Sequence, residues 1–411
     1  MRYFLPDSQD LVDPSFDFDT ERRLATRQRQ RDDLYAHEVF TERAYDGILV
    51  SKGIVDGFGA TTSRYTLAQR QRLLRTGAPD FFRLSRVKWG AIPMMGDCGA
   101  FTYVKEEKPP YTVEDLASFY VECGFDYGIS LDHVILAYQP EWDQTGALAE
   151  MQERQELTLS LAQNFFDLHQ RDALPFTPLG VAQGWSPRSY ARSLKELQRI
   201  GYRYVAVGGM VPLKTHEILA TLREMNCVRR DDTRLHLLGI SRIETVQDFA
   251  RLGVASFDST APLRQAFKDG KDNFYTLQRT YTAVRIPQVE GNPKLQKLIS
   301  SGKLNQERAR ELEKACLEAM RRFDAGEVKV DHVLERLSRY EEFYDGEASH
   351  QDAYREVLEV RPWKHCPCDV CRTLGYHIIL FRGAERNRRR GFHNTWVFYR
   401  RLQRELGLAA A

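Results

Sequence analysis

The chain has 411 residues, with 59 Lys and Arg against 57 Asp and Glu and a formal net charge of +2. This near balance gives no compositional sign of a nucleic-acid partner, and 42% apolar with 28% charged residues is ordinary for a globular protein. No apolar run approaches the roughly 20 residues needed to span a bilayer. The first residues do not resemble a signal peptide, so we expect a reducing, cytoplasmic location and no membrane partner.

Short apolar runs alternate with amphipathic stretches as far as residue 258. The predicted strands are residues 3–5, 47–51, 91–95, 128–132, 179–183, 204–208, 235–239 and 255–258. Helical patterns lie between most of them, and one begins with Ser186 as a cap and Pro187 in the first turn. Eight strands with helical crossovers favour a (β/α)8 TIM barrel of the α/β class, with a doubly wound sheet as the alternative. Residues 6–45 form a longer and more charged connection than a plain crossover.

The character of the chain changes after Asp258. Residues 276–360 are strongly charged and predict helices over 305–323 and 330–344, with no strand. A last helix is predicted over residues 395–406. The predicted domains are a (β/α)8 catalytic barrel over residues 1–275, a helical insertion over 276–360 and a C-terminal subdomain over 361–411.

Three cysteines and a histidine near the C-terminus have the spacing of metal ligands. They are Cys366, Cys368, Cys371 and His393. Three thiolates and an imidazole can fill the four tetrahedral positions of a structural zinc site and leave none for water. The alternatives are four unrelated residues or a disulfide, but the other cysteines are scattered and the total of 7 is odd. We therefore predict structural Zn²⁺ as the cofactor and a zinc-binding subdomain.

Arginines crowd the same end of the chain, with aromatic residues among them. They are Arg382, Arg386, Arg388, Arg389, Arg390, Arg400, Arg401 and Arg404. A basic patch interleaved with aromatic rings suits the phosphate backbone of a nucleic acid. The other interpretation is a solvated helix face that pairs with acidic residues elsewhere, and the sequence leaves both open.

Polar residues follow the predicted strands at their C-terminal ends, where the catalytic side chains of such barrels lie. They are Asp97, Asp132, Gln183, Gly208, Gly209 and Asp258. One carboxylate after a strand is often only a helix cap, but a set at successive strand ends indicates a site. Two separated carboxylates allow double displacement at an anomeric carbon, one as nucleophile and one handling protons. A carboxylate, an amide and backbone N–H groups can together read the edge of a purine-like base.

These residues lie in motifs that resemble those of the tRNA-guanine transglycosylases and their DNA-acting relatives. The motifs are Asp97-Cys98-Gly99-Ala100-Phe101, Leu131-Asp132-His133, Leu179-Gly180-Val181-Ala182-Gln183-Gly184, Val207-Gly208-Gly209-Met210 and Phe257-Asp258-Ser259-Thr260-Ala261-Pro262-Leu263-Arg264. Each is weakly specific alone, but all of them in this order, followed by the cysteine pattern, are highly specific. The resemblance implies a barrel enzyme with structural zinc that exchanges guanine in a polynucleotide for another base.

The resemblance also implies a role for each matching residue. Asp258 corresponds to the nucleophile that forms a covalent glycosyl-enzyme at the sugar C1′, and Asp97 corresponds to the general acid/base. The base-binding residues would be Phe101, Asp132, Gln183, Gly208, Gly209 and Met210, with the Phe101 ring stacked on the base. The phosphate-binding residues would be Arg264 and, from the basic patch, Arg388, Arg389 and Arg390.

Departures from the tRNA enzymes point to the branch that inserts 7-deazaguanines into DNA. Residues 1–19 differ from those enzymes, and the stretch between Asp258 and Cys366 is longer by about the helical insertion. Lys214 stands where tRNA enzymes that accept an aminomethyl base carry a glutamate. A cation repels an aminomethyl-ammonium group and tolerates a neutral nitrile, which favours 7-cyano-7-deazaguanine (preQ₀) as the incoming base.

The leading hypothesis is a DNA-guanine transglycosylase that exchanges guanine for preQ₀, with DNA, preQ₀ and proteins of a DNA-modification system as partners. The alternative with the same chemistry is a tRNA-guanine transglycosylase of the queuosine or archaeosine pathway. A non-catalytic zinc-containing subunit that binds nucleic acid is a further alternative, but we expect such a protein to lose its nucleophile, and Asp258 is present. Because a duplex hides C1′, the enzyme must flip the base out or act on single strands.

Overall fold

Eight parallel strands close into a barrel in chain order in the computed structural model, which describes residues 1–58, 63–268, 270–347 and 350–408. The strands are Arg2–Pro6 (β1), Gly47–Ser51 (β2), Met94–Asp97 (β3), Tyr127–Ile129 (β4), Thr177–Ala182 (β5), Tyr204–Val207 (β6), Arg234–Leu237 (β7) and Val254–Asp258 (β8). Strand β1 pairs with both β2 and β8, which closes the sheet. The predicted (β/α)8 fold is therefore confirmed, and the doubly wound sheet, which has two open edges, is excluded.

A buried apolar cluster draws its side chains from β1 through β6. Its members are Phe4, Leu49, Met95, Ile129, Leu179, Val181, Tyr204 and Ala206. Strands that are buried on both faces read as nearly continuous apolar runs, which is why the sequence located all eight of them. Strands β7 and β8 differ, because they also carry the buried polar side chains of His236, Ser256 and Asp258.

The chain divides by packing into two units, and the first contains the barrel. It comprises Met1–Gln9, Tyr45–Thr260 and Arg401–Ala411. Its α-helices are Lys52–Asp56, Leu67–Phe81, Val113–Cys123, Trp142–Thr145, Ala149–Arg171, Pro187–Ile200, Thr215–Val228 and Val246–Arg251, with 3-10 turns at Leu84–Arg86, Ala100–Tyr103 and Ile243–Thr245. The cap predicted at Ser186 is present, since its hydroxyl accepts a hydrogen bond from Ser189 N–H, and the helix that follows ends at Gly201.

The second unit comprises Asp10–Ala44 and Ala261–Arg400. Its α-helices are Ala36–Val39, Ala261–Gln265, Pro293–Ser300, Gln306–Asp324, Val330–Asp345, Gln351–Val360, Pro362–His365, Asp369–Leu374 and most of Gly383–Glu405, with a 3-10 helix at Gly375–Ile379. Short strands pair Phe274–Tyr275 with Thr280–Tyr281, and Val284–Arg285 with Leu380–Phe381. The domain boundaries near residues 275 and 360 stay a prediction. Within the described ranges, each helix is too short or too polar to cross a bilayer.

Two predictions about the C-terminal part of the chain are wrong. Residues 276–360 do contain strands, Thr280–Tyr281 and Val284–Arg285, which are too short to produce an alternating pattern. The last helix begins at Gly383 and not at residue 395. Its first half is rich in arginine and shows no apolar face in the sequence, so the 3.6-residue pattern appears only further along.

Candidate active site and metal centre

The three predicted carboxylates lie at the C-terminal ends of barrel strands β3, β4 and β8. Asp97 ends β3, Asp258 ends β8 and Asp132 follows β4. Asp132 and Asp258 are both buried. Burial, and then the charges of Asp132 and Asp258, raise the pKa of the Asp97 carboxyl to about 7. The structure therefore brings the three groups within electrostatic reach of one another.

The two carboxylate oxygens of Asp258 have different surroundings. Oδ1 accepts a hydrogen bond from Gly239 N–H at 3.0 Å and lies 3.2 Å from His236 Nε2. Among the described residues, no hydrogen bond reaches Oδ2. Asp258 thus has one oxygen held by the protein and one oxygen that receives no hydrogen bond from the described residues.

Asp132 and Gln183 form a buried pair in the same unit. Gln183 Nε2 donates to Asp132 Oδ2 at 2.7 Å, and Gln183 Oε1 accepts from Ile135 N–H at 3.2 Å. The Cys98 thiol donates to Asp132 Oδ1 at 3.0 Å. Burial raises the pKa of the Asp132 carboxyl. These contacts fix the orientation of the amide and of the carboxylate, which is what recognition of a particular donor and acceptor pattern requires.

The two adjacent glycines after β6 leave room for the Asp132–Gln183 pair. A side chain at the first glycine would collide with Gln183, and a side chain at the second would collide with the backbone of Ile135, which donates to Gln183. A Cβ at Gly208 would lie 2.2 Å from Gln183 Nε2, and a Cβ at Gly209 would lie 2.3 Å from the Ile135 carbonyl oxygen. Gly209 also has a φ of +73°, which strains any residue with a side chain. Met210, which follows them, is fully buried.

Phe101 differs from the other predicted base-binding residues in its exposure. It lies in the turn Ala100–Tyr103 after β3, and 51% of its surface is exposed. An aromatic ring in that position can stack on a planar ligand without any rearrangement of the core.

The predicted phosphate-binding arginines belong to the second unit and have different environments. Arg390 is fully buried and donates to backbone carbonyl oxygens, and Arg389 is buried and donates to the Glu385 carboxylate. Their guanidinium groups therefore already have protein acceptors, and the structure gives no support to a phosphate role for these two. Arg388 also pairs with Glu385 but is partly exposed, and Arg264 is half-buried, so the phosphate role of these two stays a prediction.

Three buried polar residues near Asp258 were not predicted from the sequence. His236 pairs with Ser256 across β7 and β8, and its Nδ1 lies 2.6 Å from Ser256 Oγ. The Tyr204 hydroxyl is hydrogen-bonded to the same Oγ. A usable signal was present, because Ser256 stands two residues before Asp258 on the same face of the strand.

The predicted metal ligands come together in the second unit. The Sγ atoms of Cys366, Cys368 and Cys371 lie 3.6, 3.4 and 3.3 Å from His393 Nδ1, and the four ligand atoms all lie within 4.8 Å of one another. Tetrahedral zinc implies ligand separations of roughly 3.5–3.8 Å. His393 Nε2 lies 2.8 Å from the Tyr275 carbonyl oxygen, which makes Nε2 the protonated nitrogen and leaves Nδ1 for a metal. The cluster could therefore hold a metal ion.

Comparison with known proteins decides the family. The sequence matches none of the family profiles with which it was compared. It is 49% identical over 414 residues to a DNA-guanine transglycosylase of Salmonella montevideo, and the alignment covers 99% of this chain and 98% of that protein. The chain belongs to the DNA-guanine transglycosylase family. The predicted resemblance to the DNA-acting branch, and the prediction of a guanine transglycosylase, are thereby confirmed.

The raised pKa of Asp97 leads to a prediction about the stability of this transglycosylase. The folded-state pKa is about 7 against an ordinary value of 3.8, so the folded protein holds this proton more tightly than the unfolded chain does. The resulting stabilisation is fully present below about pH 4 and is lost as the pH rises to about 7. Asp97→Asn cannot ionise, so it should gain stability relative to the wild type across that range, by at most about 1.4 kcal/mol per pH unit. Denaturant unfolding of both proteins from pH 4 to 8 measures the gain, and a difference that does not change with pH would contradict the assignment.

Proposed function

We propose that this transglycosylase replaces guanine in DNA with preQ₀ by double displacement, through a covalent intermediate on Asp258. The proposal is supported by the two carboxyls: Asp258 has an Oδ2 to which no described residue donates, and Asp97 has a pKa of about 7. DNA is proposed as the polymer because the relative that aligns over nearly the whole chain is named a DNA-guanine transglycosylase.

In the first displacement, Asp258 Oδ2 bonds to C1′ as the bond from C1′ to guanine N9 breaks. The electron pair of that bond leaves with guanine, and the protonated Asp97 supplies the proton that makes the departing base neutral. In the second displacement, the Asp97 carboxylate takes the proton from the corresponding nitrogen of preQ₀ as that nitrogen attacks C1′. The bond from C1′ to Oδ2 then breaks, and both carboxyls return to their starting states. A pKa of about 7 suits a group that gives and takes a proton near neutral pH.

Recognition of the base is assigned to the buried pair and the glycines. The Asp132 carboxylate accepts from N–H groups on the base edge, while Gly208 and Gly209 bring backbone close to it without a side chain between. Met210 belongs to the same pocket. The exposed Phe101 ring covers one face of the flipped base.

The choice of preQ₀ rests on charge. Lys214 is exposed at the start of the helix Thr215–Val228. A cation there disfavours a base that carries an ammonium group and accepts a neutral nitrile. Phosphate binding is assigned to Arg264 and Arg388, which are not fully buried.

Zinc is proposed as the ion held by Cys366, Cys368, Cys371 and His393, because three thiolates and an imidazole are a donor set that zinc prefers. Its contribution when bound is structural, since it would crosslink residues 366–371 to the helix Gly383–Glu405. No step of the exchange passes through it. Seven unpaired cysteines are consistent with a reducing cytoplasm as the proposed location.

The test of this function is to offer labelled preQ₀ to the zinc-loaded protein together with DNA and tRNA. We expect label in DNA at least about tenfold above label in tRNA, and no label in either polymer with Asp258→Asn. Labelled guanine in a parallel reaction separates the choice of base from the choice of polymer. Label in tRNA alone would overturn the DNA assignment, and uptake of guanine without preQ₀ would overturn the assigned base.

A further inference from the structure

We propose that His236, Ser256 and Tyr204 are positioning residues for the nucleophile. They form a hydrogen-bond chain through the barrel interior, and its donors all point toward Asp258. The inference rests on the proposed function, in which Asp258 first attacks C1′ and later leaves it.

The chain is continuous and closed to solvent. His236 Nε2 lies 3.2 Å from Asp258 Oδ1, His236 Nδ1 lies 2.6 Å from Ser256 Oγ, and Tyr204 is hydrogen-bonded to that same Oγ. His236 and Ser256 are fully buried, and Tyr204 is nearly so. Polar groups in an apolar barrel interior are costly unless each one has a partner, so three in sequence need a reason to be there.

The direction of the chain follows from the chemistry of each member. In the proposed mechanism Asp258 attacks as a carboxylate, which can only accept hydrogen bonds, so His236 Nε2 carries the proton. In the neutral imidazole Nδ1 is then an acceptor, and the Ser256 hydroxyl donates to it. Ser256 has used its single proton, so Oγ accepts from the Tyr204 hydroxyl. Each bond therefore polarises the next one toward Asp258.

The guanidinium group of Arg2 acts on the Tyr204 end of the hydrogen-bond chain. Arg2 NH1 donates to the Tyr127 hydroxyl at 3.0 Å, and the Arg2 guanidinium lies 5.2 Å from the centre of the Tyr127 ring. Burial raises the pKa of the Tyr204 hydroxyl, while the hydrogen bond to Ser256 and the charge of Arg2 oppose that rise. The charge of Arg2 thus acts on the last hydroxyl and makes it a better donor.

The hydrogen-bond chain has its main effect in the second displacement, when Asp258 becomes a negatively charged carboxylate again. In the covalent intermediate Asp258 is a neutral ester, and its Oδ1 is the ester carbonyl oxygen. When the bond from Oδ2 to C1′ breaks, a negative charge develops on both oxygens, and the N–H groups of His236 and Gly239 already point at Oδ1. Preorganised donors at a developing charge are worth more than donors to a neutral group. The second displacement should therefore depend on the chain more strongly than the first.

The first experiment follows the covalent adduct of His236→Leu by rapid quench and denaturing gel. Removing the donor should slow the resolution of the adduct by preQ₀ by roughly 10²-fold, with a smaller effect on adduct formation, so the adduct accumulates during turnover. His236→Gln keeps an N–H that can reach Oδ1, and should recover most of the lost rate. A merely structural role would lower protein yield or melting temperature and would not change this partition.

The second experiment tests whether the residues act as one chain. Ser256→Ala leaves little space and keeps the barrel packed, so it also serves if His236→Leu fails to fold. It should slow adduct resolution by about tenfold alone and add almost nothing in the His236→Leu background. Tyr204→Phe should have a smaller effect of the same kind. Tyr202→Phe is its matched control, because Tyr202 is a buried tyrosine whose hydroxyl donates to the Ala162 carbonyl, outside the chain.

If Ser256→Ala resolved the adduct at the wild-type rate, the proposed positioning role would be wrong. It would also be wrong if the rate losses of His236→Leu and Ser256→Ala multiplied in the double variant. The outcome for Asp258→Asn separates this inference from the function on which it rests. If Asp258→Asn still exchanges bases, the proposed function itself is wrong. If Asp258→Asn is inactive but the His236 and Ser256 variants are unaffected, only the proposed positioning chain is wrong.

Discussion

Replacing Asp258 with asparagine is expected to slow base exchange by at least about 10⁴-fold, the order of loss when a covalent nucleophile is removed. The amide keeps the shape of the carboxylate and can place its oxygen where Gly239 and His236 donate, so the barrel should fold and bind DNA as before. What is lost is the nucleophilic Oδ2 and, with it, the sugar adduct. Exchange rates, adduct on a denaturing gel and a DNA-binding titration separate these effects.

Asp248→Asn is the matched control for that substitution. Asp248 is an exposed carboxylate of the same unit and pairs with Arg251 at the surface. It should exchange bases at close to the wild-type rate. Asp258→Ala should lose exchange as fully as Asp258→Asn while retaining DNA binding. Wild-type exchange by either Asp258 variant would end the double-displacement mechanism, whichever polymer is used.

Replacing Cys368 with serine is expected to empty the metal site and to lower the free energy of unfolding by at least about 4 kcal/mol. Cys368 is buried, and its Sγ also accepts from Cys371 N–H at the start of the helix Asp369–Leu374. Structural zinc supplies roughly 10–16 kcal/mol in isolated zinc peptides. The loss should be smaller here, because this unit also has apolar packing. Metal analysis of the purified protein and thermal unfolding with and without a chelator measure it.

Cys227→Ser is the control for the loss of a thiol. Cys227 is exposed and lies outside the metal cluster, so its replacement should change the free energy of unfolding by no more than about 0.5 kcal/mol. Unchanged metal content and an unchanged melting temperature in Cys368→Ser would show that these four residues do not form a metal centre.

The barrel was predictable because its strands are buried on both faces and stand out as apolar runs between amphipathic helices. The predicted strand 47–51 coincides with β2, whereas the strand predicted at 91–95 begins only at Met94. Such shifts arise because hydrophobicity marks which residues are buried, while the strand boundaries depend on backbone pairing with a neighbour distant in sequence. The two-residue strands of the second unit are fixed by such pairing alone.

The partners of the charged residues in the arginine-rich segment also could not be predicted from the sequence. Its sequence was compatible with phosphate binding or with acidic partners. In the structure Arg382 and Arg386 pair with Glu21, and Arg389 pairs with Glu385. Glu21 lies more than 300 positions earlier in the chain, so no local pattern could reveal the pairing. A buried charge requires a partner, and tertiary packing selected it.

The sequence by itself determined the residue types that carry the chemistry and their order: the carboxylates at strand ends, the adjacent glycines and the thiol cluster. These can be read from a sequence because they depend on side-chain identity and on short spacings. Only the tertiary structure decided that Asp97 has a pKa of about 7, that Asp258 Oδ1 and not Oδ2 is held by the described residues, and that His236, Ser256 and Tyr204 form a hydrogen-bond chain to Asp258. Desolvation and charge interactions act through space, and here they join groups from β1, β3, β4, β6, β7 and β8 that come together only when the barrel closes.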